Sequence, residues 1–271
     1  QAMWSNNSTQ QNLSALQQKQ ILIWGPDSGD QACGDIGPGR MIEPQALAAL
    51  AAAQFSTGAL AGVSVTITAG PTREALDPVR YISNHSSGKM AYALAQAAVE
   101  AGALVTLVSG PVSLPAPEQV KLINVDSAEQ MLAACLKQPG EIFIGVAAVA
   151  DYRPQQTAEH KIKKQDETLT LQLIRNPDIL ATVAGLANKP FCVGFAAETE
   201  NLQSNAQAKL KAKKIDLIFA NQASETFGKD EASLSAYWSE GAITQSRLLP
   251  LASKPQLARQ MIEMISKLKS A

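Results

Sequence analysis

Ser86, Ser87, Gly88 and Lys89 stand between a β-branched run, Val63, Val65 and Ile67, and an Ala-rich stretch from Met90 to Ala101. The run favours a strand, Gly70-Pro71 ends it, and the stretch is helix material. Two hydroxyls, a side-chain-free residue and a lysine thus sit where a helix begins. The first backbone N–H groups of a helix lack partners and carry partial positive charge. Together these groups would cradle a phosphate or another anion. A serine N-cap beside a solvated lysine satisfies the same spacing, and spacing alone does not separate the two. A Walker A loop requires Gly at 83 and Ser or Thr at 90, where Ser83 and Met90 stand. The dinucleotide fingerprint requires closely spaced glycines directly after the strand, and none follow Gly70 in that pattern.

Further groups fit a nucleotide. Ala147, Ala148, Ala150 and Asp151 close an apolar run that begins at Ile142. Small residues there let a ligand approach the backbone. Asp151 has the chemistry to hold a ribose hydroxyl or a metal ion, and equally to cap a turn. Phe195 is a stacking surface or a core residue. Lys161-Ile-Lys-Lys164 is a cationic cluster, and alternation puts Lys161 and Lys163 on one side of an extended segment. It reads as a solvated face or as a lid over a triphosphate. Lys209 and Lys213 share a helix face. Cys33 lies among glycines, an accessible thiol whose reactivity the sequence does not decide.

The elements that position these groups alternate. Strands are expected at residues 21–24, 63–69, 104–108, 120–125, 142–149, 168–174, 191–196 and 217–220, with a late antiparallel pair at 234–238 and 246–251. Helices are expected at 43–53, 90–101, 127–136, from Pro177 to 186, 202–213 and 257–268. Residues 25–41, rich in Gly and Pro, read as a long shaped loop. Residues 1–18 are polar, with a weak helical stripe at Leu13 and Leu16. The fold class is α/β, a doubly wound, mostly parallel, Rossmann-like sheet with helices on both faces and a late antiparallel extension. Ligands of such sheets sit beyond the C-terminal strand ends. A domain boundary falls near residue 60.

Bulk properties narrow the function. A net charge of −1 over 271 residues gives no electrostatic case for nucleic acid or an anionic membrane. No apolar run approaches the roughly 20 residues of a spanning helix. Three scattered cysteines argue against a disulfide framework and fit a reducing cytoplasm. The first residue, Gln1, suggests a piece of something longer.

Six segments together carry a resemblance. They are Gly70-Pro-Thr-Arg-Glu74, the run from Asp77 to Met90, Ala147-Ala-Val-Ala-Asp-Tyr152, Lys161-Ile-Lys-Lys164, Asn176-Pro-Asp178 and Gly194-Phe-Ala-Ala-Glu-Thr199. In content and order they resemble the phosphopantothenate–cysteine ligase half of the bacterial bifunctional coenzyme A biosynthesis protein, over residues 63–271. Residues 58–62 then form a linker. Ala32-Cys-Gly-Asp-Ile-Gly-Pro-Gly-Arg-Met41 resembles the C-terminal loop of the other half, the flavin-dependent decarboxylase, so residues 1–57 look like its tail. FMN belongs to the missing part of that domain and is not expected here.

The resemblance implies a reaction in which CTP, with Mg2+, activates 4′-phosphopantothenate as an acyl-cytidylate that L-cysteine then attacks. It implies that Asn84 holds that intermediate, Arg80 engages the phosphopantothenate side and Lys161 is the catalytic lysine. Gly145, Val146 and Ala147 would line the cytosine site. Asp151, Pro177, Asp178, Ile179, Leu180, Phe195, Lys209 and Lys213 would be further CTP contacts, with Asp151 the metal candidate. Ser86 to Lys89 would be the phosphate loop, and Cys33 the decarboxylase's proton donor, idle here. Ala232 departs from the Asn that members often carry, and is expected in a turn. A homodimer through the late strands and a cytoplasmic enzyme are also implied. The competing readings are a nucleotide-binding module without catalysis and a working decarboxylase.

Overall fold

The computed structural model describes residues 2–30, 36–53, 57–163, 167–198, 200–222, 230–241 and 243–270. The chain divides into two compact units, residues 1–56 and 57–271. In the first, α1 (Asn7–Gln18) is capped by the Asn6 side chain, which accepts from the Ser8 amide, and buries none of its residues. Strands β1 (Asp27–Asp30) and β2 (Ile36–Arg40) pair antiparallel, and α2 (Pro44–Ala53) follows. Residues 21–24 form no strand, and Ile21 and Leu22 are exposed. Part of the glycine-rich stretch forms the β1–β2 ribbon instead. An apolar run needs a ladder partner as well as propensity, and here the partner pairs with the polar run that follows. Cys33 lies outside the described residues.

The second unit opens with β3 (Ser64–Ala69), a small ribbon of β4 (Glu74–Ala75) and β5 (Tyr81–Ile82), and α3 (Lys89–Glu100). Then come β6 (Leu104–Ser109), β7 (Lys121–Asn124), α4 (Ala128–Lys137) and β8 (Ile142–Gly145). A second ribbon, β9 (Tyr152–Pro154) with β10 (Leu173–Arg175), precedes α5 (Ile179–Ala184). The chain ends with β11 (Phe191–Glu198), α6 (Leu202–Ala212), β12 (Leu217–Gln222), β13 (Glu231–Glu240), β14 (Ile243–Ser253) and α7 (Lys254–Ser270).

Eight strands form one sheet in the order β14-β13-β12-β11-β8-β3-β6-β7. The run from β12 to β7 is parallel, and β13 and β14 are antiparallel. This is the doubly wound sheet with a late antiparallel pair that the strand–helix alternation predicts. Strand residues alternate between two cores. Ile142 and Ile144 of β8, with Leu217 and Phe219 of β12, pack with α3 and α7. Phe143 and Ile218 pack on the opposite face with α4, α5 and α6. The chain enters at β3, steps outward to β6 and β7, then crosses to β8 on the other side. The crevice of such a sheet opens where that order reverses, beyond the C-terminal ends of β3 and β8.

Three elements differ from expectation near that crevice. The apolar run from Ile142 leaves the ladder at Gly145, because the buried Thr68 hydroxyl accepts from the amides of Val146 and Ala147, both at 3.1 Å. Of residues 168–174 only the last two, with Arg175, find a partner strand, in β9. Helix α5 starts after Pro177. Asp178 is its N-cap, accepting from the Ala181 amide at 3.0 Å, so the side-chain cap sets the boundary. Ala232 is buried in β13 beside a register shift rather than in a turn. Among the described residues no helix is long and apolar enough to cross a membrane.

Candidate active site

A cleft of about 920 Å³ lies at the switch point. One wall is the backbone after β8, fastened to β3 and to the turn that follows it by two buried threonines. Besides the Thr68 contacts, Thr72 Oγ1 accepts from the Ala150 amide at 3.0 Å, and Asn176 Nδ2 donates to the Ala150 carbonyl at 2.8 Å. The Asn176 amide donates to the Asp151 carbonyl, so this stretch is cross-tied along its length.

The opposite wall is the start of α3. Gly88 is its N-cap at φ +75°, with no side-chain cap. A Cβ on Gly88 would approach Val112 Cγ1 to 2.9 Å in a backbone conformation that side chains disfavour, so glycine is required twice over. Of the two readings of this spacing, the plain serine N-cap is therefore not what forms. Ser86 Oγ instead accepts from the Gly88 amide, and the Ser86 amide donates to Asn84 Oδ1. Asn84 Nδ2 donates to the Ala148 carbonyl. Asn84 thus links the two walls.

Of the residues singled out in the sequence, Ser86, Ser87, Gly88, Lys89, Gly145, Val146, Ala147, Asp151, Pro177, Asp178, Ile179, Leu180, Phe195 and Lys213 line this cleft. Gly145 packs closely on α5: a Cβ there would meet Leu180 Cδ1 at 3.3 Å, so a larger residue would push that side chain aside. Phe195 is half-buried, with its ring centroid 6.0 Å from that of Phe219, so it is both cleft wall and core edge. Arg80, Asn84, Lys161 and Lys209 are not among the lining residues. Lys209 is held by Glu198 at 2.6 Å.

Arg80 is turned toward Asp77. Its Nε and Nη2 donate to Asp77 Oδ2 at 2.9 and 2.6 Å, and Nη2 also reaches the Ile162 carbonyl at 2.8 Å. Asp77 Oδ2 accepts from the Ile162 amide in return. The Arg80 guanidinium, with the Val79, Ile162 and Arg80 amides, holds the Asp77 carboxyl well below the usual carboxylate range despite its burial. The arm carrying Lys161 and Lys163 is therefore anchored through Ile162, while both lysines are exposed. Lys164 lies outside the described residues.

Lysines line the cleft from both faces of the sheet: at the α3 start Lys89 pairs with Asp230 at 2.6 Å, and at the end of α6 Lys213 pairs with Asp178 at 2.8 Å. Lys254, the first residue of α7, also lines it and is buried. Neither described cysteine supplies a nucleophile: burial pushes the Cys135 and Cys192 thiols up to about 12. Among the described residues no three acidic, His or Cys side chains gather to hold a metal. Asp151 and Asp178 both line the cleft, which suits Mg2+ that arrives on a polyphosphate and needs one or two protein carboxylates.

Thr68, Thr72, Asp77 and Lys254 carry no site assignment from the sequence reading. Thr68 and Thr72 bracket the Gly70-Pro71 turn, a hydroxyl spacing that could have drawn attention. Lys254 gives itself away only by preceding Pro255 at a helix start.

The fold and site define an α/β protein with a lysine-lined cleft at its topological switch point. Residues 60–268 match the model of the DNA/pantothenate metabolism flavoprotein C-terminal domain. The coenzyme A biosynthesis bifunctional protein CoaBC of Vibrio vulnificus strain CMCP6 is 51% identical over 276 aligned residues, covering 99% of this chain and 68% of the relative. That of Escherichia coli K12 is 50% identical over 275, covering 98% and 67%. The crystal structure of a CoaBC C-terminal domain superposes with a TM-score of 0.68 at 39% identity, covering 79% of this chain and 99% of that one. A Cab2 mutant in complex with phosphopantothenate-cysteine matches at a TM-score of 0.62 and 17% identity, over 84% of this chain and 96% of that one, a likeness of fold alone.

The chain belongs to the DNA/pantothenate metabolism flavoprotein C-terminal domain family. Residues 60–268 are a phosphopantothenate–cysteine ligase domain of coenzyme A biosynthesis.

Proposed function

We propose that this domain joins 4′-phosphopantothenate to L-cysteine at the expense of CTP, releasing pyrophosphate and CMP. The observation that carries it is the pairing, across one cleft, of a fixed backbone wall at residues 145–151 with a cationic helix start at residues 86–89. The first suits a base and ribose, the second a triphosphate.

A carboxylate is a poor electrophile. Its oxygen attacks the α-phosphorus of CTP, that P–O bond forms, and the bond to the β-phosphate breaks to release pyrophosphate. The cysteine amine then attacks the acyl carbon, CMP leaves with the bonding pair, and the amine proton passes to solvent. Lys89 and the free amides at the start of α3 hold the phosphates, and Lys161 closes over them on its arm. Lys213 and Lys209 reach the nucleotide when they exchange Asp178 and Glu198 for it. The Val146 and Ala147 amides are spent on Thr68, so cytosine recognition there falls to the loop's carbonyls, which suit the base's exocyclic amine. Phe195 supports the base. Mg2+, held by Asp151 with the phosphates, would offset charge on the leaving pyrophosphate.

Asn84 donates to the acyl-cytidylate's carbonyl oxygen, and Arg80 keeps the Lys161 arm in place besides bounding the phosphopantothenate side. Residues 1–57 are read as a decarboxylase tail in which Cys33 matches that domain's proton donor. The enzyme is cytoplasmic and dimeric. The edge strand β14 exposes Ile243, Leu248 and Leu251, which suits a partner on that side.

The test is pyrophosphate release with Mg2+, CTP and 4′-phosphopantothenate, with and without L-cysteine, and with ATP in parallel. Cysteine-stimulated turnover with CTP is expected, and about one equivalent released without cysteine marks a held acyl-cytidylate. Nucleotide binding with no pyrophosphate release would overturn the ligase reading in favour of a non-catalytic module.

A further inference from the structure

The chain has two histidines, and one of them, His85, lines the cleft. The other, His160, stands beside Lys161 on the arm and does not. The backbone around His85 is fixed on both sides. Asn84 Oδ1 accepts from the Ser86 amide at 3.1 Å, which folds the loop into a turn with His85 at its middle. Ser86 Oγ accepts from the Gly88 amide at 3.4 Å, which joins that turn to the start of α3. Asn84 Nδ2 donates to the Ala148 carbonyl, which ties the turn to the opposite wall. His85 itself is exposed, and among the described residues neither ring nitrogen is hydrogen-bonded.

The other titratable side chains of the cleft suit other tasks. Lys89 and Lys213 are ion-paired, Asp178 caps α5 and holds Lys213, and Asp151 is the metal candidate. Lysine, arginine and tyrosine ordinarily keep their protons at neutral pH, and a carboxylate is a weak base. Imidazole is the side chain that ordinarily accepts and returns a proton there. Ligation to L-cysteine needs such a group. An α-amino group ordinarily titrates at about 8, so cysteine arrives largely as an ammonium, which has no lone pair to attack with.

We propose that His85 is the general base of the second half-reaction, taking a proton from the L-cysteine ammonium beside the acyl-cytidylate that Asn84 holds. The proposal rests on the ligase reading above. The imidazole takes one proton, and the freed nitrogen lone pair forms the C–N bond. The bond from the acyl carbon to the cytidylate oxygen breaks and CMP leaves with that pair. The second nitrogen proton and the one on His85 then pass to solvent.

The test uses the full chain with Mg2+, CTP and 4′-phosphopantothenate to form the intermediate, and L-cysteine or hydroxylamine to consume it. Hydroxylamine is an amine that is already neutral at neutral pH. His85→Gln keeps a polar side chain that cannot take the proton. The variant should still give its burst of pyrophosphate and melt within a few degrees of the parent. Its consumption of the intermediate by L-cysteine should fall about 100-fold, the low end of what a positioned base supplies. Its consumption by hydroxylamine should stay within a few fold of the parent's.

A parent-like rate with L-cysteine overturns the base. So does an equal loss with both amines, the mark of a loop that no longer holds the intermediate. So does a loss confined to the affinity for CTP or 4′-phosphopantothenate, the mark of a binding group. If the unaltered chain releases no pyrophosphate, the ligase reading falls with this one. If it turns over and His85→Gln turns over equally, only this inference falls.

Discussion

Along one wall of the cleft the backbone after β8 is tied to buried Thr68, Thr72 and half-buried Asn176 by neutral hydrogen bonds. Along the other, and on the arm above it, the polar side chains are cations on carboxylates, Lys89 on Asp230 and Arg80 on Asp77, and on the α6 side Lys213 and Lys209 pair likewise with Asp178 and Glu198. The difference matches two tasks. A base is recognised by fixed donors and acceptors, and rigidity supplies selectivity there. A triphosphate that must bind, react and leave as pyrophosphate is better met by cations that can exchange one counterion for another. On the function proposed, the fixed wall would be set when the chain folds and the cationic wall when the ligand arrives.

Asn84 joins the walls, and its loss should be the most damaging. Asn84→Asp places a carboxylate against the acyl-phosphate and removes a donor from it. Steady-state ligation should fall about 100-fold or more, the loss expected for one donor to developing negative charge, with the melting temperature within a few degrees of the parent. Wild-type turnover in this variant would remove Asn84 from the chemistry.

Thr68→Val comes next and tests the fixed wall. It leaves the half-buried Val146 and Ala147 amides without their acceptor, costing about 1–2 kcal/mol of stability in denaturant unfolding. CTP affinity should fall with it, whereas inorganic triphosphate, which touches only the cationic wall, should bind as before. Parallel loss of both ligands would erase the distinction between the walls.

Asp77→Asn should release the Lys161 arm, lowering kcat severalfold with little change in CTP binding. The pH dependence has a definite sign. The folded Asp77 carboxyl lies below its ordinary value near 4, chiefly because Arg80 pairs with its charged form. Its stabilisation is therefore complete above that value and is lost as pH falls below it. The stability lead of the parent over Asp77→Asn should be constant from pH 7 to about 5 and shrink in more acid solution. A lead that grows on acidification would overturn the pairing. The smallest effect belongs to the exposed Glu263–Lys267 pair on α7: Glu263→Gln should cost about 0.5 kcal/mol or less.

Much of this molecule is legible without coordinates. The alternation of apolar runs with helical stretches carries the doubly wound sheet, because a parallel strand covered on both faces is recognisable as a near-continuous apolar run. Ser86 to Lys89 mark a helix start, and fourteen of the residues read as site candidates meet at one cleft. The misreadings share a cause. Residues 146–149 look like more strand, yet two of their amides belong to a threonine hydroxyl almost 80 positions away. Residues 21–24 have strand composition and no partner. Pro177 is a good first helical residue, displaced from that place by the side chain of Asp178.

Sequence by itself determined the fold class, the helix start at residues 86–89 and the family, since these depend on local propensity, periodicity and the order of motifs. Only the tertiary structure decided which groups are held and which are available. It spends the Val146 and Ala147 amides on Thr68, turns Arg80 onto Asp77, and buries Lys254 beside Lys89 at one end of the cleft. Each of those outcomes is a competition between partners far apart in the chain. Hydrogen bonds and ion pairs act over a few ångströms of space, and separation along the chain does not encode such distances.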